Sequence, residues 1–294
     1  MDHPRTRRRG LVAMIAWLLL AVIASLTPPP SRAGEIAIII DDIGYSQHWG
    51  EAAIHLDPDI SISILPDTPY GAELAEEANR NGNEIMLHLP MQALTRTPPG
   101  EPDELTLNMS EEAFKNRIRD ELAEYPAVVG VNNHMGSLLT QRQRPMDWLM
   151  DVLAEFPALF FIDSRTHHKT VAALTAARYA IPHASRDVFL DPDADKNETL
   201  NGQLARLLQI VDQQGLALAI GHPHPATIRA LKRFIPRLRA AGHELVPVSR
   251  YVTLKEEQTC PECSSPLLRV VKNSKPSPLS TCCDAPKSKS SPPD

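Results

Sequence analysis

The stretch AIIIDDIGYS, residues 37–46, decides how the chain is read. An isoleucine-rich run stops at two adjacent carboxylates, Asp41 and Asp42, and Gly44 follows closely. β-Branched residues at nearly every position describe a strand buried on both faces, as in parallel sheets. Two neighbouring carboxylates at its end repel each other unless something uses them.

Runs of the same kind recur at residues 60–64, 84–88, 127–131, 158–162, 187–190, 216–220 and 244–248. Helical stretches separate most of them. Thr68-Pro69 has the form of an N-cap followed by proline at the first helical position, opening a helix to about Arg80. Ser110 caps another to about Glu124, and Pro145 opens a third to about Glu155. Residues 197–213 and 225–241 supply two more, the last expected to kink at Pro236. Strands alternating with helices imply parallel pairing and α/β architecture. The number of strand–helix units fits a (β/α) barrel, with an open doubly wound sheet as the alternative.

Polar residues gather where these strands end. The first runs into Asp41-Asp42 and the third ends at His88. Asn132-Asn133-His134, Asp163-Ser164-Arg165, Asp191 and His222 terminate the fourth, fifth, sixth and seventh. In parallel α/β folds the C-terminal strand ends share one rim, and active sites are built there. Imidazole nitrogen and carboxylate oxygen suit zinc and similar divalent ions. One aspartate of the pair can then ligate a cation while the other handles a proton, and the cation offsets their repulsion. Each residue also has a plainer reading. Asp41 and Asp42 could cap the following turn, Asp163 could cap a helix, His88 could be a satisfied core histidine, and His134 could bond to a turn backbone. His222 could stiffen the His-Pro-His-Pro turn, a role that suits His224 better than a chemical one.

The two ends differ from the body. Residues 1–33 carry a basic RTRRRG, then 16 apolar or small residues at 11–26, then a small-residue site at Ala33. This is the pattern of a secretory signal peptide, with an uncleaved membrane anchor as the alternative. Either way the body is exported, and it meets a membrane only if this segment stays attached. Cleavage after Ala33 would leave 25 basic and 35 acidic residues, a net charge of −10. The whole chain carries −6 and shows no basic stripe, which argues against a nucleic-acid binder. A single domain is expected over 34–253 and a disordered tail rich in Cys, Pro, Ser and Lys over 254–294. The tail holds Cys260, Cys263, Cys282 and Cys283, whose spacing does not match a zinc ribbon. Disulfides suit an exported chain best, with metal binding or free thiols as alternatives.

Five segments in this order, IIIDDIGYS, LHLPM, NNHMGSLLT, FIDSRT and IGHPHP, resemble the divergent polysaccharide deacetylases. These are a periplasmic branch related to the NodB-type chitooligosaccharide deacetylases, and the resemblance covers about residues 35–252. It implies an irregular (β/α)7-type barrel of the NodB-like, glycoside hydrolase–deacetylase kind. It implies a periplasmic, metal-dependent hydrolase that removes acetyl groups from N-acetylated sugars, with an acetylated glycan or oligosaccharide as partner. By resemblance Asp41 is the general base, Asp42 and His88 bind the metal, His222 is the general acid, and Asp163 tunes that acid. The wider family's second metal histidine falls at Gln92, a poor ligand, which leaves His134 on the adjacent strand end as the third candidate. The implied cofactor is a divalent ion, zinc foremost. The wider family's Arg-Pro-Pro-Tyr motif is also missing, with NNHMGS in its place. These departures keep open a non-catalytic envelope protein that binds glycan or protein on the same fold.

Overall fold

The computed structural model describes residues 33–95, 104–192 and 197–259. All but the last residue of the expected signal peptide, and all four cysteines, lie outside the described residues. The strands are β1 (Glu35–Ile43), β2 (Ser61–Ile64), β3 (Ile85–Met91), β4 (Val128–Met135), β5 (Phe160–Asp163), β6 (His183–Ser185), β7 (Val188–Phe189), β8 (Leu216–Gly221) and β9 (Glu244–Leu245). The helices are α1 (Gln47–Ile54), α2 (Gly71–Asn81), α3 (Glu111–Glu124), α4 (Gln143–Leu153), α5 (Ala172–Arg178), α6 (Asn197–Gln214), α7 (Pro225–Ala240) and α8 (Val248–Thr259). The sheet runs β6-β5-β4-β3-β2-β1-β8-β7, with β9 added beside β1, and every pairing is parallel.

Successive strand residues point to opposite faces, and here the two faces build two separate cores. Ile36, Ile38, Ile40, Ile62, Ile64, Leu87, Val131 and Phe161 pack outward against α1 to α7. Ala37, Ile39, Met86, Phe160, Ile162, Leu216, Leu218 and Ile220 face the other way and meet Val248, Tyr251 and Val252 of α8. A doubly wound sheet would carry helices of its crossovers on both faces. This sheet curls instead around an interior that, among the described helices, only the last enters. β6 and β7 end the strand order and do not pair among the described residues. The fold is the irregular (β/α) barrel expected from the sequence, curled but not fully closed.

Several boundaries differ from the sequence reading. Thr68 does not cap α2, because its hydroxyl donates to the Leu65 carbonyl at 2.8 Å. The helix starts after Tyr70, with no side-chain cap. Ser110 does cap α3, accepting from Ala113 N at 3.2 Å. α4 begins two residues before Pro145, which sits in the first turn where its missing N–H leaves no bond unmade. α7 continues through Pro236 to Ala240. Helices α1 and α5 and strand β6 were not anticipated. They are only 8, 7 and 3 residues long, too short to display a period.

The largest difference lies at the end of the domain. The strand expected over 244–248 is Glu244–Leu245, extended by one bond from Val246 N to Ile36 O at 2.9 Å. Helix α8 then runs to Thr259, six residues past the expected boundary at 253. It closes the barrel's lower end. Val248 N donates to Ser61 Oγ at 3.2 Å, Ser249 donates through N and Oγ to the Glu84 carboxylate, and Tyr251 OH donates to Asp187 Oδ2 at 3.1 Å. Tyr251 is wholly buried. Tyr251→Ala should therefore destabilise the protein by about 3–5 kcal/mol in urea denaturation. Tyr251→Phe, which keeps the ring, should cost about 1 kcal/mol. An unchanged denaturation midpoint for the alanine variant would show that α8 does not close the inner core.

Candidate metal centre

The two aspartates share one mouth because β1 breaks its period there. Ile40 pairs with Ile62, and the next pair is Ile43 with Ile64, so three steps on β1 oppose two on β2. This is a β-bulge, and Asp42 at its centre adopts a left-handed backbone with φ 57°. Asp41 keeps the inward phase of Ala37 and Ile39, and the bulge turns Asp42 to the same side. Both then reach one ring: His88 Nε2 lies 3.5 Å from Asp41 Oδ2 and 3.2 Å from Asp42 Oδ1. Gly44 completes the turn at φ 140°, where a Cβ would overlap Thr68.

His88 and His134 come from neighbouring strands, in register as His88 beside Asn132 and Pro90 beside His134. Both rings are buried on the inner face. His134 Nδ1 lies 3.2 Å from His88 Nε2 and 3.0 Å from Asp42 Oδ1. Three donor atoms thus form a triangle with edges of 3.0–3.2 Å. Ligands on one tetrahedral zinc ion, bonded at about 2.0–2.2 Å, stand roughly 3.3–3.6 Å apart. The triangle needs only a few tenths of an ångström of adjustment to fit. Asp42 Oδ1 is buried with no N–H aimed at it in hydrogen-bond geometry, which leaves it an acceptor that a cation could take. Gln92 takes no part. Its Oε1 accepts from Leu107 N at 2.9 Å, and its main chain holds the loops around Leu105 and Leu138.

Asn132, wholly buried, fixes the ligand chemistry. Its Oδ1 accepts from Ser63 Oγ at 2.6 Å and from His88 Nδ1 at 2.9 Å. Its Nδ2 donates to Asp41 Oδ1 at 2.9 Å and to Ser164 Oγ at 3.3 Å. With the His88 Nδ1 proton committed to Asn132, His88 Nε2 is the nitrogen left to bind a metal. The same amide grips one oxygen of Asp41 and leaves the other facing the site.

The fourth wall is His222 at the end of β8. Its Nε2 lies 3.6 Å from Asp42 Oδ2, and its Nδ1 lies 2.9 Å from Asp191 Oδ1. Asp191 also accepts from His222 N at 2.8 Å and from Thr227 Oγ1 at 2.7 Å. The carboxylate that holds His222 is therefore Asp191 and not Asp163. The reason is strand phase. Phe160 and Ile162 face the interior while Phe161 faces the outer helices, so Asp163 follows Phe161 outward. Its oxygens are taken by Arg165 N at 2.8 Å and Thr170 Oγ1 at 3.0 Å. His224 is the exposed residue that precedes α7 and makes no capping bond. It forms a looser trio with Asp191 and His222, with donor atoms within 4.8 Å of one another.

The electrostatics separate the groups. Burial pushes the Asp41 carboxyl above the usual carboxylate range, against the pull of His88 and His222. Burial opposes the Asp42 charge too, but His134 and His88 outweigh it and hold its carboxyl well below that range. Burial lowers the His88 pKa, yet Asp41 and Asp42 carry it upward on balance. Burial likewise opposes the His222 charge, and the Asp191 bond with the charges of Asp42 and Asp41 overrides it, pushing His222 up to about 9.

Residues 38–252 match the family model of the divergent polysaccharide deacetylases. The chain belongs to that family. It is 36% identical over 231 residues to the uncharacterized protein YibQ of Escherichia coli K12, spanning 79% of this chain and 69% of YibQ. It is 35% identical over 198 residues to an uncharacterized protein of Haemophilus influenzae, spanning 67% of this chain and 70% of that one. Among solved structures it is similar to the uncharacterized protein ATU2773 of Agrobacterium tumefaciens C58. That likeness has a TM-score of 0.70 at 23% identity, over 76% of this chain and 91% of that one, and it speaks for the fold.

In this member of the divergent polysaccharide deacetylases, the rim brings Asp41, Asp42, His88, His134 and His222 into one cluster. The sequence reading missed Asn132 as the hub and Asp191 as the partner of His222, although both were noted at strand ends. Because Asp191 raises the His222 pKa, Asp191→Asn should lower it, by about one unit or more. Titration of the metal-free protein by NMR should find His222 near 9 in the wild type and lower in the variant. The link to stability has a definite sign. A raised imidazole pKa stabilises the fold fully below about 6.5, and that contribution fades as pH climbs through about 9. An unmoved His222 titration in Asp191→Asn would detach the two residues.

Proposed function

We propose that this protein is a metal-dependent hydrolase of the cell envelope. It removes acetyl groups from N-acetylated sugars of a glycan or oligosaccharide, working in the periplasm after export. One observation carries the reading: a metal-sized triangle of Asp42, His88 and His134 with a proton acceptor and a proton donor facing it from either side. A divalent ion held by those three residues, zinc foremost, supplies Lewis acidity towards water and the acetyl carbonyl.

The chain's own residues handle the protons. Asp41 offers Oδ2, since Asn132 holds Oδ1, to take a proton from the attacking water. Water oxygen adds to the acetyl carbon as the carbonyl π bond opens, and the carbon–nitrogen bond then breaks as the carbonyl re-forms and the nitrogen takes up a proton. His222, anchored through Nδ1 by Asp191, carries its mobile proton on Nε2 and delivers it to the departing amine. An amine is a poor leaving group until protonated, so a held imidazolium is the feature an amide substrate needs. The same groups would serve an O-acetyl ester.

The test is a paired measurement of metal content and acetate release from N-acetylated envelope glycans. Asp42→Ala and His88→Ala should lose stoichiometric metal. His222→Ala and Asp41→Asn should keep metal and fold and lose about 10²–10⁴-fold in rate. Activity should fall on the acid side as Asp41 is protonated and on the alkaline side as His222 loses its proton. Asp191→Asn should bring that alkaline limb to lower pH. A wild type with its metal site full that releases no acetate from any such glycan would replace this reading with a non-catalytic glycan- or protein-binding role.

A further inference from the structure

Three residues other than glycine, each within a strand end or two positions beyond it, are held in the left-handed region: Asp42, Met135 with φ 51°, and Arg165 with φ 49°. Asp42 is accounted for by the bulge. Arg165 has no such role, and a left-handed backbone costs a residue of its type about 1–2 kcal/mol. The turn around it is nonetheless fixed from every side. Arg165 N donates to Asp163 Oδ1 at 2.8 Å, and its carbonyl accepts from Arg186 Nη2 at 3.1 Å. Ser164 N donates to Asn133 Oδ1 at 2.9 Å, and Ser164 O accepts from Arg186 Nε at 2.7 Å. Thr166 Oγ1 donates to Met135 O at 2.8 Å, tying the turn to the end of β4. All this rigidity presents one exposed guanidinium, that of Arg165, which makes no hydrogen bond or ion pair with any described residue.

The surroundings are cationic in an acidic chain. No Asp or Glu occurs between Asp163 and Asp187, while Arg165 and Lys169 lie on the loop and Arg186 packs against it, in a protein of net charge −6; Arg178, farther along, is paired with Asp147 at 2.8 Å and takes no part. His167 and His168 lie on the same loop. The Arg186 guanidinium is parked over the Phe189 ring at 4.6 Å, and Phe189 packs edge-on against His222. The loop is one residue from the proton machinery, because Ser164 Oγ and Asp41 Oδ1 accept from the same Asn132 amide. Met135, 43% exposed, supplies an apolar surface on the same lip.

We infer that the loop from Ser164 to Lys169 is a specificity element that seats the carboxylate of an acidic sugar next to the acetylated one, with Arg165 as the anchor. This rests on the glycan-deacetylase reading for its substrate class. A planar guanidinium matches a carboxylate with two parallel bonds, and a turn that only had to bend would carry glycine or asparagine at this backbone conformation. Strain retained around an outward side chain points to a use for that side chain. The Met135 thioether gives the sugar's apolar face a surface to rest on.

The test uses two matched N-acetylated tetrasaccharides, a neutral chitotetraose and one whose alternate residues carry a lactyl ether carboxylate. Binding is measured on the metal-loaded Asp41→Asn protein and acetate release on the wild type. The acidic sugar should be preferred, and the preference should shrink with rising salt. Arg165→Ala should lose about 10-fold in affinity and kcat/KM on the acidic sugar and nothing on the neutral one. Arg165→Lys should restore part of the loss. Arg165→Gly, which removes the backbone strain, should fold at least as well as the wild type and still lose the preference. Equal losses on both sugars, no preference in the wild type, or no binding of either would overturn the inference. Acetate release without preference would leave the deacetylase reading standing alone. Arg165-dependent binding without acetate release would retain the lip and remove the enzyme.

Discussion

Side chains alternate across a strand, and the whole site depends on one break in that alternation. Without the bulge between Ile40 and Ile43, Asp41 and Asp42 would point to opposite faces of β1. One would meet the barrel mouth and the other the apolar layer under the helices, where an unpaired carboxylate is costly. The left-handed backbone at Asp42 places both at the mouth. Aspartate tolerates this conformation better than most residues, so the residue the site needs is also one the bulge accepts. Repulsion between the pair is answered by three imidazoles, those of His88, His134 and His222, all within 3.6 Å of a carboxylate oxygen.

Asn132 then turns a cluster into an ordered one. A buried amide has two donors and two acceptor positions, and here all four are used, by Ser63, His88, Asp41 and Ser164. Its four partners come from β1, β2, β3 and the end of β5, so a single side chain ties the rim together across five strands including its own. An aspartate of the same shape could not donate to Asp41. A leucine would leave four buried groups without partners.

Much of this was legible in the sequence because parallel strands buried on both faces are apolar until they end, and polar residues then mark the rim. Asp41, Asp42, His88, His134 and His222 stand out for that reason. What stayed hidden was phase. In Phe160-Phe161-Ile162-Asp163 both faces are apolar, so no pattern says which way Asp163 points, and the inward carboxylate proved to be Asp191. The bulge was illegible too, since it depends on where β2 pairs and not on local composition. Helix α8 was illegible as well: the sequence reads as a strand to 248 and a disordered tail from 254, and a buried face of only Val248, Tyr251 and Val252 is too short to announce a helix.

The adjacent carboxylates end in opposite electrostatic states although one peptide bond separates them. Asp41 lies deeper, touched at one oxygen by an amide, and burial raises its pKa. Asp42 lies nearer the mouth between two imidazoles, and its pKa falls well below the usual range. A carboxylate that holds a cation must stay ionised, and one that accepts a proton must be able to keep it. The two requirements cannot be met by two equivalent aspartates. The bulge supplies the inequality by keeping Asp41 in the inward phase of the strand and setting Asp42 on the same side but nearer the mouth, between the two imidazoles, so the difference between the neighbours follows from backbone geometry.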